Sequence, residues 1–249
     1  MIGGKDVNIL KARMRQVRAF LRNPSLCLQK SLGSPLCMFL KTRAEIDTCT
    51  DFLRCKGYVS HHLTCKDWDL AHIIPEIGDG NFLDMGSSDS YILKNVVLKH
   101  VRGEKYGIDL REPDVAAKGV RYIVGDLTDT KLPGEYFSYI TCLSVIEHEV
   151  DFSKFARETS RLLVPGGKLF VTFDYWNPKI TPPIKMYGLN WQPLDAETLK
   201  IFIAECSRHG LVLVKDMDWT LGEPVIRDGY YSPHPSVQYT FGLTVFEKK

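Results

Sequence analysis

The stretch "NFLDMGSSDS", residues 81–90, has the form of a buried strand that ends on an acid and continues into a loop. The apolar run stops at Asp84, and Gly86 follows two residues later. Because glycine has no Cβ, a ligand can approach the backbone closely at such a position. The remaining loop positions carry serines rather than further glycines, namely Ser87, Ser88 and Ser90. The loop therefore lacks the Gly-x-Gly-x-x-Gly fingerprint, which disfavours a nicotinamide dehydrogenase.

Strand-like and helical patterns alternate along the chain from this stretch onward. Strands are predicted at 81–85, 105–110, 120–124, 136–143 and 168–175, and helices at 88–100, 152–163 and 195–209. This alternation predicts an α/β fold with a parallel, doubly wound sheet. Two late strands, 211–216 and 238–247, have no helix between them, which predicts a closing antiparallel hairpin.

The N-terminal part of the chain has a different character. Residues 1–43 contain nine Lys or Arg and a single acid. Residues 8–22 have helical period, with an apolar face and a basic face. Such a helix either caps the main domain or makes a peripheral contact with an anionic membrane surface. We predict a basic helical cap segment over residues 1–65 and a catalytic domain over residues 66–249.

Overall composition excludes several classes of protein. The net charge of the 249 residues is +2, so no global charge favours nucleic acid. Seven cysteines, an odd number without close pairing, predict reduced thiols and a cytoplasmic location. No run of 18 apolar residues and no signal-peptide pattern is present. The gaps among Cys49, Cys55, His61, His62 and Cys65 are wider than those between paired zinc ligands, so no metal site is predicted.

Acids follow successive predicted strands, where an open parallel sheet binds its ligands. Asp109 ends the second strand and could accept hydrogen bonds from both hydroxyls of a ribose. Asp126 follows the third strand and could accept from an exocyclic amine, while Leu127 packs on a flat base. Each acid alone could equally cap the next helix. Their order on successive strands, together with Gly86, favours an adenosine site.

On these residues the sequence resembles the class I S-adenosylmethionine-dependent methyltransferases, in their small-molecule, type 11-like branch. The resemblance covers about residues 70–249 and rests on "FLDMGSSDS", "YGIDL", "GDL", "YFSYITCLSVIEH" and "LLVPGGKLFVTF". It implies a Rossmann-like seven-stranded sheet of order 3-2-1-4-5-7-6 with strand 7 antiparallel. It also implies S-adenosylmethionine as cofactor. Of the family's usual loop glycines, only the first is present, as Gly86.

The resemblance also implies a cofactor site along the strand ends. The glycine loop would meet the methionine part of the cofactor, Asp109 the ribose and Asp126 the adenine amine. The residues predicted to contact the cofactor are Asp84, Gly86, Ser87, Ser88, Asp109, Leu110, Asp126, Leu127, Leu143 and Ser144.

Methyl transfer is an in-line displacement in which the enzyme mainly aligns the reacting groups. A hydroxyl acceptor also needs a base, and the candidates are His148, His234 and Asp174. His148 follows the fourth strand, and the ordinary pKa of histidine suits a base at neutral pH. The alternative interpretation of Glu147-His148 is a helix start with a packed imidazole.

Two segments are predicted to form the acceptor pocket: "DYWNPKITPPIKMYGLNW", residues 174–191, and "GYYSPHPS", residues 229–236. With His148, the candidate contacts are Tyr175, Trp176, Tyr187, Trp191, Tyr230 and Tyr231, although such aromatics could also pack beneath a loop. The predicted acceptor is a small molecule or glycan, such as a nucleotide sugar or lipid-linked saccharide, methylated on O or N. No Asn/Asp-Pro-Pro-aromatic turn follows strand four, so nucleic acid is not expected. A non-catalytic binding or scaffold protein that keeps the fold is the alternative.

Overall fold

The computed structural model describes residues 36–113, 116–227 and 237–249. All of these residues belong to one compact unit. The basic helix predicted at 8–22, with its membrane contact, lies outside the described residues, as do Tyr230, Tyr231 and His234.

The described residues form ten strands and five α-helices. The strands are β1 Met38–Phe39, β2 Phe82–Met85, β3 Lys105–Asp109, β4 Arg121–Val124, β5 Phe137–Leu143, β6 Leu163–Tyr175, β7 Lys185–Met186, β8 Leu189–Asn190, β9 Leu211–Leu213 and β10 Thr240–Lys248. The helices are α1 Arg43–Cys55, α2 Asp67–Ile73, α3 Tyr91–Leu98, α4 Phe152–Leu162 and α5 Ala196–Arg208. Short 3₁₀ turns, Thr64–Lys66 and Ile74–Glu76, flank α2.

The main sheet has the predicted topology. Its strands follow the order β4-β3-β2-β5-β6-β10, and β9 pairs with β10. Strands β2 to β6 run parallel to their neighbours, whereas β10 is antiparallel to both β6 and β9. The predicted order 3-2-1-4-5-7-6 with an antiparallel strand 7 is matched by β4-β3-β2-β5-β6-β10-β9, but the sheet has eight strands rather than the predicted seven, since β1 also pairs with β10. This topology places the ends of the parallel strands, and the residues that follow them, along one edge.

Strand β1 was not predicted from the sequence. Met38 pairs with Leu243 and Phe39 with Gly242, so β1 lies beside the part of β10 that β9 leaves uncovered. Two residues carry too little pattern to indicate a strand. Part of the predicted 1–65 cap segment thus joins the sheet, and the domain boundary after residue 65 stays a prediction.

Local sequence explains how the first loop forms. All four residues of β2 are buried, as expected of a central parallel strand covered on both faces. Helix α3 begins at Tyr91, later than predicted, because Ser90 is its N-cap and Ser90 Oγ accepts a hydrogen bond from Leu93 N at 3.0 Å. The serines after Gly86 therefore stay in the loop.

Cys55 is disulfide-bonded, so the prediction of reduced thiols is wrong at that position. Cys37, Cys49, Cys65, Cys142 and Cys206 are free and buried. Among the helices described, none is both long and apolar enough to cross a membrane.

Candidate active site

A cavity of about 790 Å³ lies at the carboxyl ends of the parallel strands. Most of the residues predicted for the cofactor and acceptor line it: Asp84, Gly86, Ser88, Asp109, Leu110, Asp126, Leu127, Leu143, Ser144, His148, Asp174 and Tyr187. The strand ends therefore meet as the sequence pattern indicated. Residues from the α2 region, including Lys66 and Asp69, line the same cavity and were not predicted.

Four predicted contact residues lie elsewhere. Ser87 is 1% exposed, and its Oγ fills the space beside Gly107 on β3, 2.5 Å from where a Cβ would stand. Tyr175 packs against Phe39, with ring centroids 4.2 Å apart. Trp191 is 1% exposed, and Trp176, beyond the end of β6, is half-buried outside the cavity lining. Tyr175 and Trp191 therefore pack in the core, which is the alternative that the sequence left open for these aromatic residues.

Gly86 is the one loop glycine, and its conformation requires that residue type. Its φ is +83°, in the left-handed region that disfavours side chains. A Cβ there would overlap Val145 Cγ2. The amides of Gly86 and Ser87 both donate to Ile108 O, at 2.8 and 3.2 Å. The loop is thus tied to β3, and a Cβ-free stretch of backbone faces the cavity.

Asp84, at the end of the central strand, is a buried carboxyl with two hydroxyl neighbours. Thr141 Oγ1 donates to Asp84 Oδ1 at 2.6 Å, and Ser90 provides a second side-chain hydrogen bond. Burial raises the pKa of Asp84 to about 7, although both hydrogen bonds oppose that shift. Burial therefore favours the protonated form of Asp84 at pH values at which an exposed aspartate is ionised.

This shift predicts a pH dependence of stability that Asp84→Asn should reduce. The folded state holds the proton up to about pH 7, whereas an unfolded aspartate loses it near pH 3.9. Folded protein therefore binds more protons within that window, so stability is present at low pH and falls as pH rises through it. From about pH 5 to pH 8, the unfolding free energy of the unaltered protein should therefore fall by about 2–3 kcal/mol more than that of Asp84→Asn. Urea unfolding at both pH values measures it, and equal losses in the two proteins would contradict the assignment.

Asp109 and Asp126 follow neighbouring strands. Asp109 Oδ2 accepts from Ser88 N at 3.0 Å, so this carboxylate is held against the glycine loop. Asp126 Oδ1 accepts from the amide and hydroxyl of Thr128, both at 2.8 Å. Leu110, which is 61% exposed, lines the same cavity as the two acids. Two anchored acids and an exposed apolar side chain suit the ribose and flat base of a nucleoside.

The other side of the cavity is lined by buried charges. We call Asp69, Glu147 and Asp174 the acid cluster; Lys66 lies among them. Lys66 Nζ is 3.6 Å from Asp69 Oδ2 and 3.9 Å from Asp174 Oδ1, and it also donates to Ser144 Oγ. Burial raises the pKa of all three acids, that of Asp69 to about 6. Burial opposes the charge on Lys66, yet Asp69 and Asp174 raise its pKa.

His148 lines the cavity beside this cluster. Burial, reinforced by the charge of Lys66, lowers the pKa of its imidazole to about 4. The ring is therefore neutral at physiological pH, and its Nδ1 has no hydrogen-bond partner among the residues described. Tyr187 contacts the ring edge-on, with centroids 6.1 Å apart. Asp174 is positioned by Trp191, whose Nε1 donates to Asp174 Oδ2 at 2.8 Å.

One group of residues brings metal-ligand atoms together at the cavity. His61, His62 and Asp89 have ligand atoms within 4.8 Å of one another, but His62 and Asp89 are exposed. His61 Nδ1 already accepts from Leu63 N at 2.9 Å. Such exposed groups are common without a metal, and the prediction of no metal site stays a prediction.

Residues 83–171 match the family described as "Methyltransferase domain". That stretch has the sequence of a methyltransferase domain, and the sheet around it has the topology of the class I S-adenosylmethionine-dependent methyltransferases. Gly86, Asp109 and Asp126 lie within the match, as do Glu147 and His148. S-adenosylmethionine is the cofactor of such methyltransferase domains, and a loop glycine in the cavity lining beside the anchored acid Asp109 fits that molecule.

Curated relatives resemble part of the methyltransferase domain. A ubiquinone biosynthesis O-methyltransferase of Pseudomonas aeruginosa is 32% identical over 84 residues, which are 29% of this chain and 36% of that protein. The chain thus spans about a third of that relative's length. The methyltransferase YdaC of Bacillus subtilis is 24% identical over 127 residues, 47% of this chain and 70% of that protein.

Solved structures share the fold of the methyltransferase domain at low identity. The YcgJ protein of Bacillus subtilis has a TM-score of 0.56 at 15% identity, over 72% of this chain and 97% of that one. Geranyl diphosphate C-methyltransferase of Streptomyces coelicolor has a TM-score of 0.54 at 14% identity, over 89% of each chain. These likenesses concern the fold alone.

Proposed function

We propose that this protein transfers a methyl group from S-adenosylmethionine to oxygen or nitrogen of a small-molecule acceptor. The observation that carries the proposal is one cavity lined by two chemically different groups of residues. The first group is the Gly86 loop with Asp109 and Asp126, and the second is Lys66 with the acid cluster. We infer that the cofactor binds at the first group and the acceptor at the second.

The chain's own residues would have distinct tasks. Asp109 would accept hydrogen bonds from the ribose, and Asp126 from the adenine amine, while Gly86 leaves room for the methionine end. When bound, the cofactor supplies a methyl group on an activated sulfonium. The remaining task is to orient the acceptor and receive its proton.

The electrostatics of the site bear on which residue receives that proton. A base works best when its pKa lies near the working pH. The lowered pKa of His148 makes its imidazole a weak base, whereas burial raises the pKa of Asp174. We therefore infer that Asp174 takes the proton of a hydroxyl acceptor and that His148 orients the acceptor. The name of the ubiquinone biosynthesis relative supports oxygen as the acceptor atom. The proposed small-molecule acceptors include glycans, such as a nucleotide sugar or a lipid-linked saccharide.

Calorimetry with S-adenosylhomocysteine tests the proposed function against the scaffold alternative. The product should bind with one site per chain and displace S-adenosylmethionine. A methyl-transfer assay over pooled small hydroxyl and amine acceptors should then release S-adenosylhomocysteine, and Asp174→Asn should abolish that release while the product still binds. A protein that binds neither cofactor form would support the scaffold alternative instead.

A further inference from the structure

The acid cluster contains buried oxygen atoms that make no hydrogen bond within the described part of the protein. Asp69, Glu147 and Asp174 are 2%, 1% and 7% exposed, and all three line the cavity. Asp69 Oδ1, Glu147 Oε2 and Asp174 Oδ1 each lack a hydrogen-bond partner among the residues described. Buried polar atoms of proteins are almost always paired, since a buried polar atom without a partner loses the hydrogen bonds that it made to water. Three such atoms on one cavity wall indicate a place for a ligand group.

The chemistry of these atoms specifies the ligand group. All three belong to carboxyl groups, and a cation beside them favours the ionised form, in which their oxygens only accept hydrogen bonds. A hydroxyl brings acceptor lone pairs along with its single donor, whereas an ammonium brings three donors and no acceptor. An ammonium therefore matches the cluster more closely than a hydroxyl does.

The charge of the cluster points the same way. In the ionised form, three carboxylates face one ammonium, that of Lys66, and the formal charge of the group is then −2. Buried charge is costly unless it is paired, and burial raises the pKa of Glu147 well above its ordinary value. A second cation would compensate the remaining carboxylates.

Aromatic rings complete the surroundings. Phe241 and Tyr239 line the cavity, with ring centroids 5.9 Å apart. Lys66 Nζ lies 3.6 Å from the centroid of the Phe241 ring, an arrangement in which the ring face attracts a cation. The Lys66 ammonium shows that this wall accommodates a positive charge.

We propose that the acid cluster binds a protonated amine of the methyl acceptor, which makes the acceptor an amine-bearing small molecule such as an amino sugar or amino alcohol. This inference rests on the proposed function. Within the cluster, Asp69 and Glu147 hold the amine by which the acceptor is recognised, and Asp174 receives the proton of a hydroxyl that is methylated elsewhere on the same molecule.

A matched pair of probes tests the inference on the full chain. Glucamine and sorbitol differ by an amine in place of one hydroxyl, and their binding can be measured at neutral pH by ligand-observed NMR, with and without S-adenosylhomocysteine. We expect glucamine to bind at least about tenfold more tightly, since one net charge contact of about 1.4 kcal/mol gives that factor.

Variants of opposite sign sharpen the test. Glu147→Gln and Asp69→Asn each remove an ionisable carboxyl with little change in shape. Each should weaken the binding of glucamine at least about fivefold and leave the binding of sorbitol unchanged. Lys66→Met removes the competing cation and should strengthen glucamine binding. Circular dichroism checks that each variant is folded. If a variant fails to fold, the comparison of the two probes on the unaltered protein still tests the inference.

Three results would overturn the inference. The first is that the two probes bind with equal affinity, or that neither probe binds. The second is a glucamine preference that Glu147→Gln and Lys66→Met leave unchanged. The third is a loss of S-adenosylhomocysteine affinity in Asp69→Asn or Glu147→Gln, which would place the cofactor's own ammonium at the cluster. Failure of the proposed function would appear separately, as absent product binding in the unaltered protein.

Discussion

Replacing Asp109 by alanine is expected to weaken S-adenosylhomocysteine binding about 100-fold while the protein stays folded. Asp109 stands at the end of β3, half-buried in the cavity lining, where its carboxylate can accept from two ribose hydroxyls. Hydrogen bonds to a charged group contribute about 1.5 kcal/mol each, so losing two costs about 3 kcal/mol. A tenfold change in affinity corresponds to about 1.4 kcal/mol, which gives the expected factor. Isothermal titration calorimetry measures it directly.

Two controls separate ribose binding from loop order. Asp109→Asn keeps an acceptor for Ser88 N and should lose less affinity than the alanine variant. Asp129→Ala removes an exposed acid that pairs with Lys131 outside the cavity, and it should leave affinity unchanged. Unaltered affinity in Asp109→Ala would refute the placement of the ribose.

Gly86→Ala is expected to destabilise the protein by about 2–5 kcal/mol and to remove cofactor binding. A side chain in the left-handed region costs about 1–2 kcal/mol, and forcing a methyl group into packed surroundings costs about 1–3 kcal/mol more. Here the new Cβ would overlap Val145 Cγ2. Relief of that overlap would shift the loop away from β3 and into the cavity. Urea unfolding gives the stability change, and calorimetry the binding.

Matched variants isolate the two contributions at Gly86. Gly166 has a φ of +75° with open space where a Cβ would stand, so Gly166→Ala measures the backbone cost alone. Val145→Ala removes the methyl groups that collide, so in that background Gly86→Ala should cost about as much as Gly166→Ala. An equal cost of Gly86→Ala in both backgrounds would rule out the packing explanation.

The sequence was sufficient for the parts of the site that lie on strand ends. Parallel strands bring their carboxyl ends to one edge, so acids at the ends of β2 and β3 had to meet once the strand order was known. That order followed from the family resemblance and from the late strands without a helix between them. The structure bears out this topology.

Side-chain direction could not be predicted in the same way. Ser87 turns toward the sheet because the residue opposite it on β3 is Gly107, which leaves room for a hydroxyl. Nothing within the loop itself indicates that vacancy. Likewise, Tyr175 and Trp191 were candidates for stacking on a ligand, but both are buried in core packing. Their direction depends on neighbours distant in sequence, such as Phe39.

Lys66 and Asp69 were missed for a related reason. They belong to the short 3₁₀ turn and helix α2 that precede the first strand of the matched domain. Their approach to Asp174 spans more than a hundred residues of sequence and follows from tertiary packing. The available signal was charge within a buried helix, since Asp67 and Asp69 lie among apolar residues of α2 that are fully buried.

The residues that build the cavity come from two different parts of the chain. Those on the side of Gly86, Asp109 and Asp126 all fall inside residues 83–171, whereas Lys66, Asp69, Asp174 and Phe241 fall outside that stretch. Glu147 and His148 also fall inside residues 83–171, so the acid cluster is assembled from both parts of the chain. Exchange of the flanking segments would therefore replace Lys66, Asp69 and Asp174 while Gly86, Asp109 and Asp126 stay the same. Chimaeras that join residues 83–171 to the flanks of another member offer a route to altered specificity.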